Sequence, residues 1–239
     1  MRRFVLGDPH GAYRAMLQVF EKSCIAYKKD QLICLGDVAD SWSEVPECFD
    51  ELLKFKNLVY ILGNHDAWLL DYFNTGERPH IWTSQGGLAT IAAYDKRIKE
   101  RGNKSIVPHK KLLSNAKYYH ITEDNKCFVH GGFNWKRPIA TQDDYDLTWD
   151  RNLFAAATYW EERQKEQNLK IKEFDEVFIG HTTTSWFRPD LTPVHASNLW
   201  NLDQGAGWEG KLTLMDIDSK EFWQSDMVTT FYPGEHGRR

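Results

Sequence analysis

The sequence has little that would place it in a membrane, in an oxidising compartment or on nucleic acid. No apolar run approaches the roughly 20 residues needed to span a bilayer. Four cysteines occur in 239 residues, Cys24, Cys34, Cys48 and Cys127, and none stands in a CxxC pair. That spacing speaks against a disulfide framework and a zinc knuckle. Cys34 and Cys127 lie in apolar runs, where a free thiol acts as a small apolar side chain. Basic residues do not outnumber acidic ones: 30 Lys and Arg against 34 Asp and Glu leave a net charge of -4. The electrostatic footprint of generic nucleic-acid binding is therefore missing. Met1-Arg2-Arg3 imitates the start of a signal peptide, but the apolar run after it ends at Asp8, too short for one. The expected compartment is the reducing cytoplasm. Repeats, low-complexity stretches and interdomain linkers are also lacking. With 41% hydrophobic residues, the chain is expected to fold as one domain over residues 1–239.

What the chain does have is five short segments in which polar, metal-ligating side chains follow an apolar run at once. They are Phe4 to Gly11 (FVLGDPHG), Leu32 to Asp40 (LICLGDVAD), Val59 to Asp66 (VYILGNHD), Cys127 to Gly132 (CFVHGG) and Val177 to His181 (VFIGH). Each apolar run reads as a buried strand, and a glycine then lets the backbone turn. Open α/β sheets bind ligands at the carboxyl ends of their strands, which is where these side chains fall. Asp, His and Asn together form a donor set for divalent metals.

The remaining pattern predicts an α/β chain. Strands are expected at 3–7, 31–35 and 58–62, with helices at 11–23 and 46–55 between them, the second opened by Pro46. Residues of about 67–126 carry no metal motif and read as a helical insertion, with helices at 66–74, 85–101 and 108–115; such an insertion can form the wall or lid of a site. A strand at 127–130 and a helix at about 151–169 follow. Strands at 175–179, 192–195, 198–202, 211–217 and 221–224 are expected to complete a second, largely antiparallel layer.

Gly7-Asp8-Pro9-His10-Gly11, Gly36-Asp37-Val38-Ala39-Asp40, Gly63-Asn64-His65-Asp66, His130-Gly131-Gly132 and Gly180-His181 resemble, in order and spacing, the signatures of the calcineurin-like metallophosphoesterases. The closest branch in pattern is that of the phosphoprotein phosphatases. Trp82 to Thr90 (WTSQGGLAT) and Leu147 to Arg151 (LTWDR) are similar to segments of the branch's bacterial and phage members, which include diadenosine tetraphosphatases. The segment Asp203-Gln204-Gly205 resembles their closing D-x-G hairpin. One departure stands out: the branch's Arg-Gly after the second Asp of GDxxD is Ser41-Trp42 here, which removes an expected phosphate ligand.

The resemblance implies a sandwich of two mixed β-sheets flanked by helices, and two divalent metal ions, with Mn²⁺ or Fe/Mn and Fe/Zn pairs favoured. Asp8, His10 and Asp37 would hold the first metal; Asp37, Asn64, His130 and His181 would hold the second. His65 would be the proton donor to the leaving oxygen, oriented by Asp40, and Arg151 would bind phosphate. Each role has a plainer rival. Asp8 or Asp37 alone reads as a helix cap, Asp40 as a loop residue whose place beside His65 Asp66 could take, and Arg151 as a surface cation at a helix end. Lys136 and Arg137 are candidates to replace the arginine missing at Ser41. Aromatic residues reach 14%, and Trp42, Trp82 and Trp135, near motif loops, could stack on a base or pack in the core.

The implied activity is hydrolysis of phosphate monoesters, of the phosphoprotein-phosphatase kind, by a water held between the two cations. Dinucleoside polyphosphate hydrolysis is the alternative. A nuclease or phosphodiesterase would be expected to carry a second late histidine where Thr183 stands, and a catalytically silent scaffold to have lost a ligand. The expected partner is a phosphorylated substrate, with neither membrane nor generic nucleic acid.

Overall fold

The computed structural model describes residues 1–163, 171–186 and 188–238. In chain order the elements are β1 (Arg3–Leu6), α1 (Tyr13–Ser23), β2 (Gln31–Cys34), α2 (Val45–Leu52), β3 (Asn57–Tyr60), α3 (Asn64–Thr75), α4 (His80–Trp82), α5 (Leu88–Arg101), α6 (Val107–Ser114), β4 (Tyr119–Ile121) and β5 (Lys126–Val129). There follow α7 (Asp144–Trp149), α8 (Asn152–Arg163), β6 (Glu176–Ile179), β7 (Val194–Ala196), β8 (Leu199–Asn201), β9 (Thr213–Asp216) and β10 (Phe222–Gln224). The α/β class and the sandwich of two mixed sheets stand as expected. Residues 164–169 of the helix expected at 151–169 lie outside the described residues.

The strands pair as β10-β9-β1-β2-β3 and β4-β5-β6-β8-β7. This corrects the expected second layer. β9 and β10 belong to the first sheet, where β9 runs antiparallel to β1 with Val5 opposite Met215. In the other sheet, β5, β6 and β8 are mutually parallel. A strand's own side-chain pattern says which face is buried and not which neighbour it takes, so only the tertiary structure could assign β9. The short β4 and α7 carry too few residues for a periodic signal and were not expected.

Alternation along the strands builds three packed layers. Val5, Ile33, Phe128, Phe178 and Met215 meet between the sheets, where the rings of Phe128 and Phe178 stack 4.8 Å apart. Phe4, Leu6, Leu32 and Cys34 point the other way, onto Ala15, Met16 and Val19 of α1 and Cys48, Phe49 and Leu52 of α2. Cys127, Val129, Val177 and Ile179 face Leu153 and Phe154 of α8. Full burial of one such side chain stabilises the fold by roughly 1.5–3 kcal/mol, so these layers hold the strand ends rigidly. The helices after β3 pack on α2: Arg97 grips Asp50 with two bonds of 2.7 and 2.9 Å, and His109 adds a third. Among the described residues no helix is long and apolar enough to cross a membrane, and all four cysteines are unpaired.

Candidate metal centre

Asp8, Asp37 and Asn64 follow the carboxyl ends of the parallel strands β1, β2 and β3, while His130, His181 and Asp203 follow those of β5, β6 and β8. The sandwich brings both sets of loops to one edge. Folding them there strains the backbone: His10, Asp37, Asp40, Ser41 and His181 all adopt positive φ, between 47° and 77°. Such residues cost of order 1–3 kcal/mol each and persist where the surroundings over-determine them. Two glycines are required by close approach. A Cβ on Gly63 would run into Asp37 Oδ1, and one on Gly180 into Asp8 Oδ1.

Asp37 is common to two groups of three buried donors, Asp8/His10/Asp37 and Asp37/His130/His181, each with its ligand atoms within 4.8 Å of one another. Asp37 Oδ2 lies 3.7 Å from His10 Nε2 and 3.2 Å from His130 Nε2. The opposite ring nitrogens bond backbone carbonyls, His10 Nδ1 to Ala39 O at 2.9 Å and His130 Nδ1 to Leu35 O at 2.8 Å. A carbonyl can only accept, so both Nδ1 atoms donate and both Nε2 atoms face Asp37, where a bound cation would take the lone pair of the deprotonated nitrogen. Asn64 Oδ1 sits 3.2 Å from His130 Nε2. Asp8 Oδ1 and His181 Nε2 are buried without a hydrogen-bond partner, and a buried polar atom left so is costly unless something else satisfies it. Carboxylate, imidazole and amide donors with unspent lone pairs fit two divalent cations sharing Asp37.

The electrostatics agree. Burial, with Asp203 and Asp37 nearby, pushes the Asp8 carboxyl well above its usual range. Burial works the same way on Asp37, but His130, His65 and His10 outweigh it and hold its carboxyl well down. Burial lowers His10 to about 3 against the pull of Asp37. At His130 the nearby Asp37 overcomes burial and raises the imidazole to about 9.

His65, on the first turn of α3, donates its backbone N–H to Asp37 Oδ1 at 3.0 Å. Its Nδ1 meets Asp40 Oδ2 at 2.5 Å, leaving Nε2 as its free ring nitrogen. Asp40 is fully buried. It accepts from Trp82 Nε1 at 2.9 Å and from Thr90 Oγ1 at 2.7 Å, so the turn between α4 and α5 holds it. Asp66 does not compete for His65; it accepts from Val38 N, Ala39 N, Gly63 N and Tyr60 Oη. Neither Asp8 nor Asp37 caps α1, whose N-cap is Ala12.

An aromatic wall flanks the centre. Trp68 meets His65 edge-on at 5.0 Å and Trp149 at 5.4 Å, and Trp149 meets His181 at 5.8 Å. Trp42 and Trp82 are fully buried and pack in the interior, so neither offers a face to a base; Trp135 is half-buried. The Arg151 guanidinium bonds His181 O at 3.0 Å and Thr182 Oγ1 at 3.1 Å, which sets it beside the second group. Lys136 is exposed and lies over the ring of Trp135, 5.7 Å away; Arg137 is exposed on the same loop.

Two residues at the centre escaped the sequence reading. Asp203, buried beside Asp8, was read only as part of a hairpin. The apolar strand Leu199–Asn201 ahead of it was the available signal. Arg238, whose guanidinium bonds Gln85 Oε1 at 2.8 Å, had no local signal at all.

A model of the calcineurin-like phosphoesterase family matches residues 1–185. The asymmetrical bis(5'-nucleosyl)-tetraphosphatase of Halalkalibacterium halodurans is 26% identical over 237 residues, covering 91% of both chains. Serine/threonine-protein phosphatase 2 of Salmonella typhimurium is 24% identical over 222 residues, covering 90% of this chain and 92% of that one. In fold, the cold-active protein-tyrosine phosphatase of a psychrophilic Shewanella superposes with a TM-score of 0.62 at 15% identity, covering 94% of this chain and 80% of the other. The chain belongs to the calcineurin-like phosphoesterases, metal-dependent hydrolases of phosphoesters.

Proposed function

We propose that this chain hydrolyses phosphate monoesters with two divalent metals, the first held by Asp8, His10 and Asp37 and the second by Asp37, Asn64, His130 and His181. The observation that carries this reading is Asp37 shared between two buried donor groups with the His65–Asp40 pair directly against it. Bound there, the cations would lower the pKa of a coordinated water and offset phosphate charge. Manganese, iron or zinc suits the imidazoles better than magnesium. Arg151 orients the phosphate, since its planar fork matches two oxyanion oxygens at every working pH. His65 delivers a proton from Nε2 to the departing oxygen while Asp40 holds the ring and stabilises its charged form. The Trp68–Trp149 wall keeps water from that side of the reaction. Four unpaired cysteines support a reducing, cytoplasmic setting.

A second reading is hydrolysis of dinucleoside polyphosphates. It is favoured by exposed aromatic faces near the centre: Tyr145, 69% exposed and stacked on Trp149 at 5.9 Å, and Trp186, 76% exposed against Trp208. Base stacking on such faces contributes about 1–3 kcal/mol per base. Assay with Mn²⁺, Fe²⁺, Zn²⁺ and Mg²⁺ on p-nitrophenyl phosphate, a phosphoserine peptide and diadenosine tetraphosphate separates the readings. Monoester turnover is expected to lead, supported best by Mn²⁺. A kcat/KM for the tetraphosphate well above both monoesters would select the second reading, and no turnover of any substrate with any metal would end both.

A further inference from the structure

Ser41 stands where the resemblance to the phosphoprotein phosphatases implies an arginine. Its hydroxyl is buried without a hydrogen-bond partner. The residues that follow it are not idle, however. Trp42 stacks on Tyr232 at 5.0 Å and donates its indole N–H to Ala206 O at 2.7 Å. Ser43 Oγ donates to Glu235 Oε1 at 2.9 Å, and Glu44 accepts from Tyr232 Oη at 2.6 Å. Residues 42–44 thus clamp the segment that follows Tyr232.

That segment runs beside the loop of His10. Arg238 donates its backbone N–H to Gly207 O at 2.9 Å. Gly207 in turn rests on a candidate metal ligand, for a Cβ there would meet His10 Cδ2 at 2.5 Å. The Arg238 guanidinium lies over the ring of Trp208, 5.2 Å away, and bonds Gln85 Oε1. Its stem reaches the neighbourhood of Ser41 itself. A Cβ on Gly86 would sit 2.8 Å from Ser41 N and 3.4 Å from Arg238 Cγ.

Two arginines therefore stand by the loops that carry candidate ligands. Arg151 comes with the His181 loop and Arg238 over the His10 loop. Among the described residues neither forms an ion pair with a carboxylate. Guanidiniums that no carboxylate pairs directly keep donors for an anion, and a fork on either side matches a tetrahedral oxyanion.

We propose that Arg238 binds the substrate phosphate opposite Arg151 and takes the place that Ser41 leaves without a cation. The Ser41-Trp42 departure is then one half of an exchange. Trp42 gives the segment its anchor, and the segment brings the guanidinium back. The proposal rests on the phosphoester-hydrolase reading and extends it to a residue that lies far from every motif.

Three proteins test it: wild type, Arg238→Met, which keeps an apolar stem over Trp208, and Arg238→Lys, which keeps the charge without the fork. Inorganic phosphate is the probe, titrated by calorimetry into the metal-loaded proteins, with metal content measured alongside. Loss of a charge-assisted pair predicts phosphate binding weakened about ten- to a hundredfold in Arg238→Met, at unchanged metal content, with Arg238→Lys in between. KM for p-nitrophenyl phosphate should rise in parallel, more than kcat falls. Phosphate affinity equal to wild type in Arg238→Met overturns the proposal and leaves the hydrolase reading intact. So does loss of metal together with phosphate binding, since Arg238 would then be holding the fold. A wild type that binds phosphate through Arg238 yet turns over no ester would instead fail the hydrolase reading alone.

Discussion

The interior of the site and its rim are built differently. Asp8, His10, Asp37, Asp40, His65 and His130 are each no more than 3% exposed, and most hold a second bond that fixes their orientation. The guanidiniums of Arg151 and Arg238 sit on loops and are held by neutral acceptors, a carbonyl and a hydroxyl in one case and an amide oxygen in the other. The reason lies in what each region must do. Unpaired buried polar atoms are costly in a low dielectric, so most interior side chains are fixed by a second bond, and the atoms left over, Asp8 Oδ1 and His181 Nε2, are those that a cation would satisfy. On the proposed reading the rim would release one anion and accept the next, which suits cations that keep free donors and stay close to water.

If this contrast is right, damage to the interior should cost metal or chemistry, and damage to the rim should cost substrate binding. The largest effect is expected for Asp37→Asn, because one carboxylate serves both donor groups. Metal affinity should fall by more than the roughly 10–100-fold that loss of an outer hydrogen-bond partner costs, with both metals affected in elemental analysis. Two metals retained as in wild type would break the interior half of the comparison. Next comes His65→Asn, for which kcat should drop about 10²–10⁴-fold at unchanged metal content. The loss should be far greater on a phosphoserine peptide than on p-nitrophenyl phosphate, whose leaving group is stable as an anion. Equal losses on the two substrates would remove His65 as proton donor.

At the rim, Arg151→Ala should raise KM and the phosphate inhibition constant about ten- to a hundredfold, with smaller change in kcat and none in metal content. A fall in kcat alone would mean that Arg151 belongs functionally to the interior. The smallest effect is expected for Trp82→Phe, which deletes one of the donors to Asp40 and leaves Thr90 in place. One buried hydrogen bond is worth about 1 kcal/mol, or roughly fivefold. That loss should show the leaving-group dependence of His65→Asn in weaker form. A metal-content change instead would place Trp82's influence on the ligands and not on the imidazole.

How much of this could be read without coordinates follows a physical line. The interior was legible because a strand followed by a tight turn delivers its polar residues to one place, whatever the rest of the chain does. Asp8, His10, Asp37, Asn64, His130 and His181 all arise from that local device. Asp203 arises from it too: its strand was expected at 198–202, but the residue was read with the Gly-rich hairpin that follows and not as a polar tip. The fate of Trp42 was undecidable from its neighbours, since an indole beside a motif loop can face solvent or core; here it faces Tyr232.

By itself, then, the sequence determined the strand tips, their donor atoms and the α/β class, because side-chain periodicity and turn chemistry act over a few residues. Which strands pair, which imidazole nitrogen is left to face Asp37, and which carboxylate holds His65 were decided only in three dimensions. So was the approach of Arg238 to a centre whose first ligand candidate is Asp8. Those outcomes depend on contacts between segments far apart in the chain, made by burial and hydrogen-bond satisfaction, and no local pattern records them.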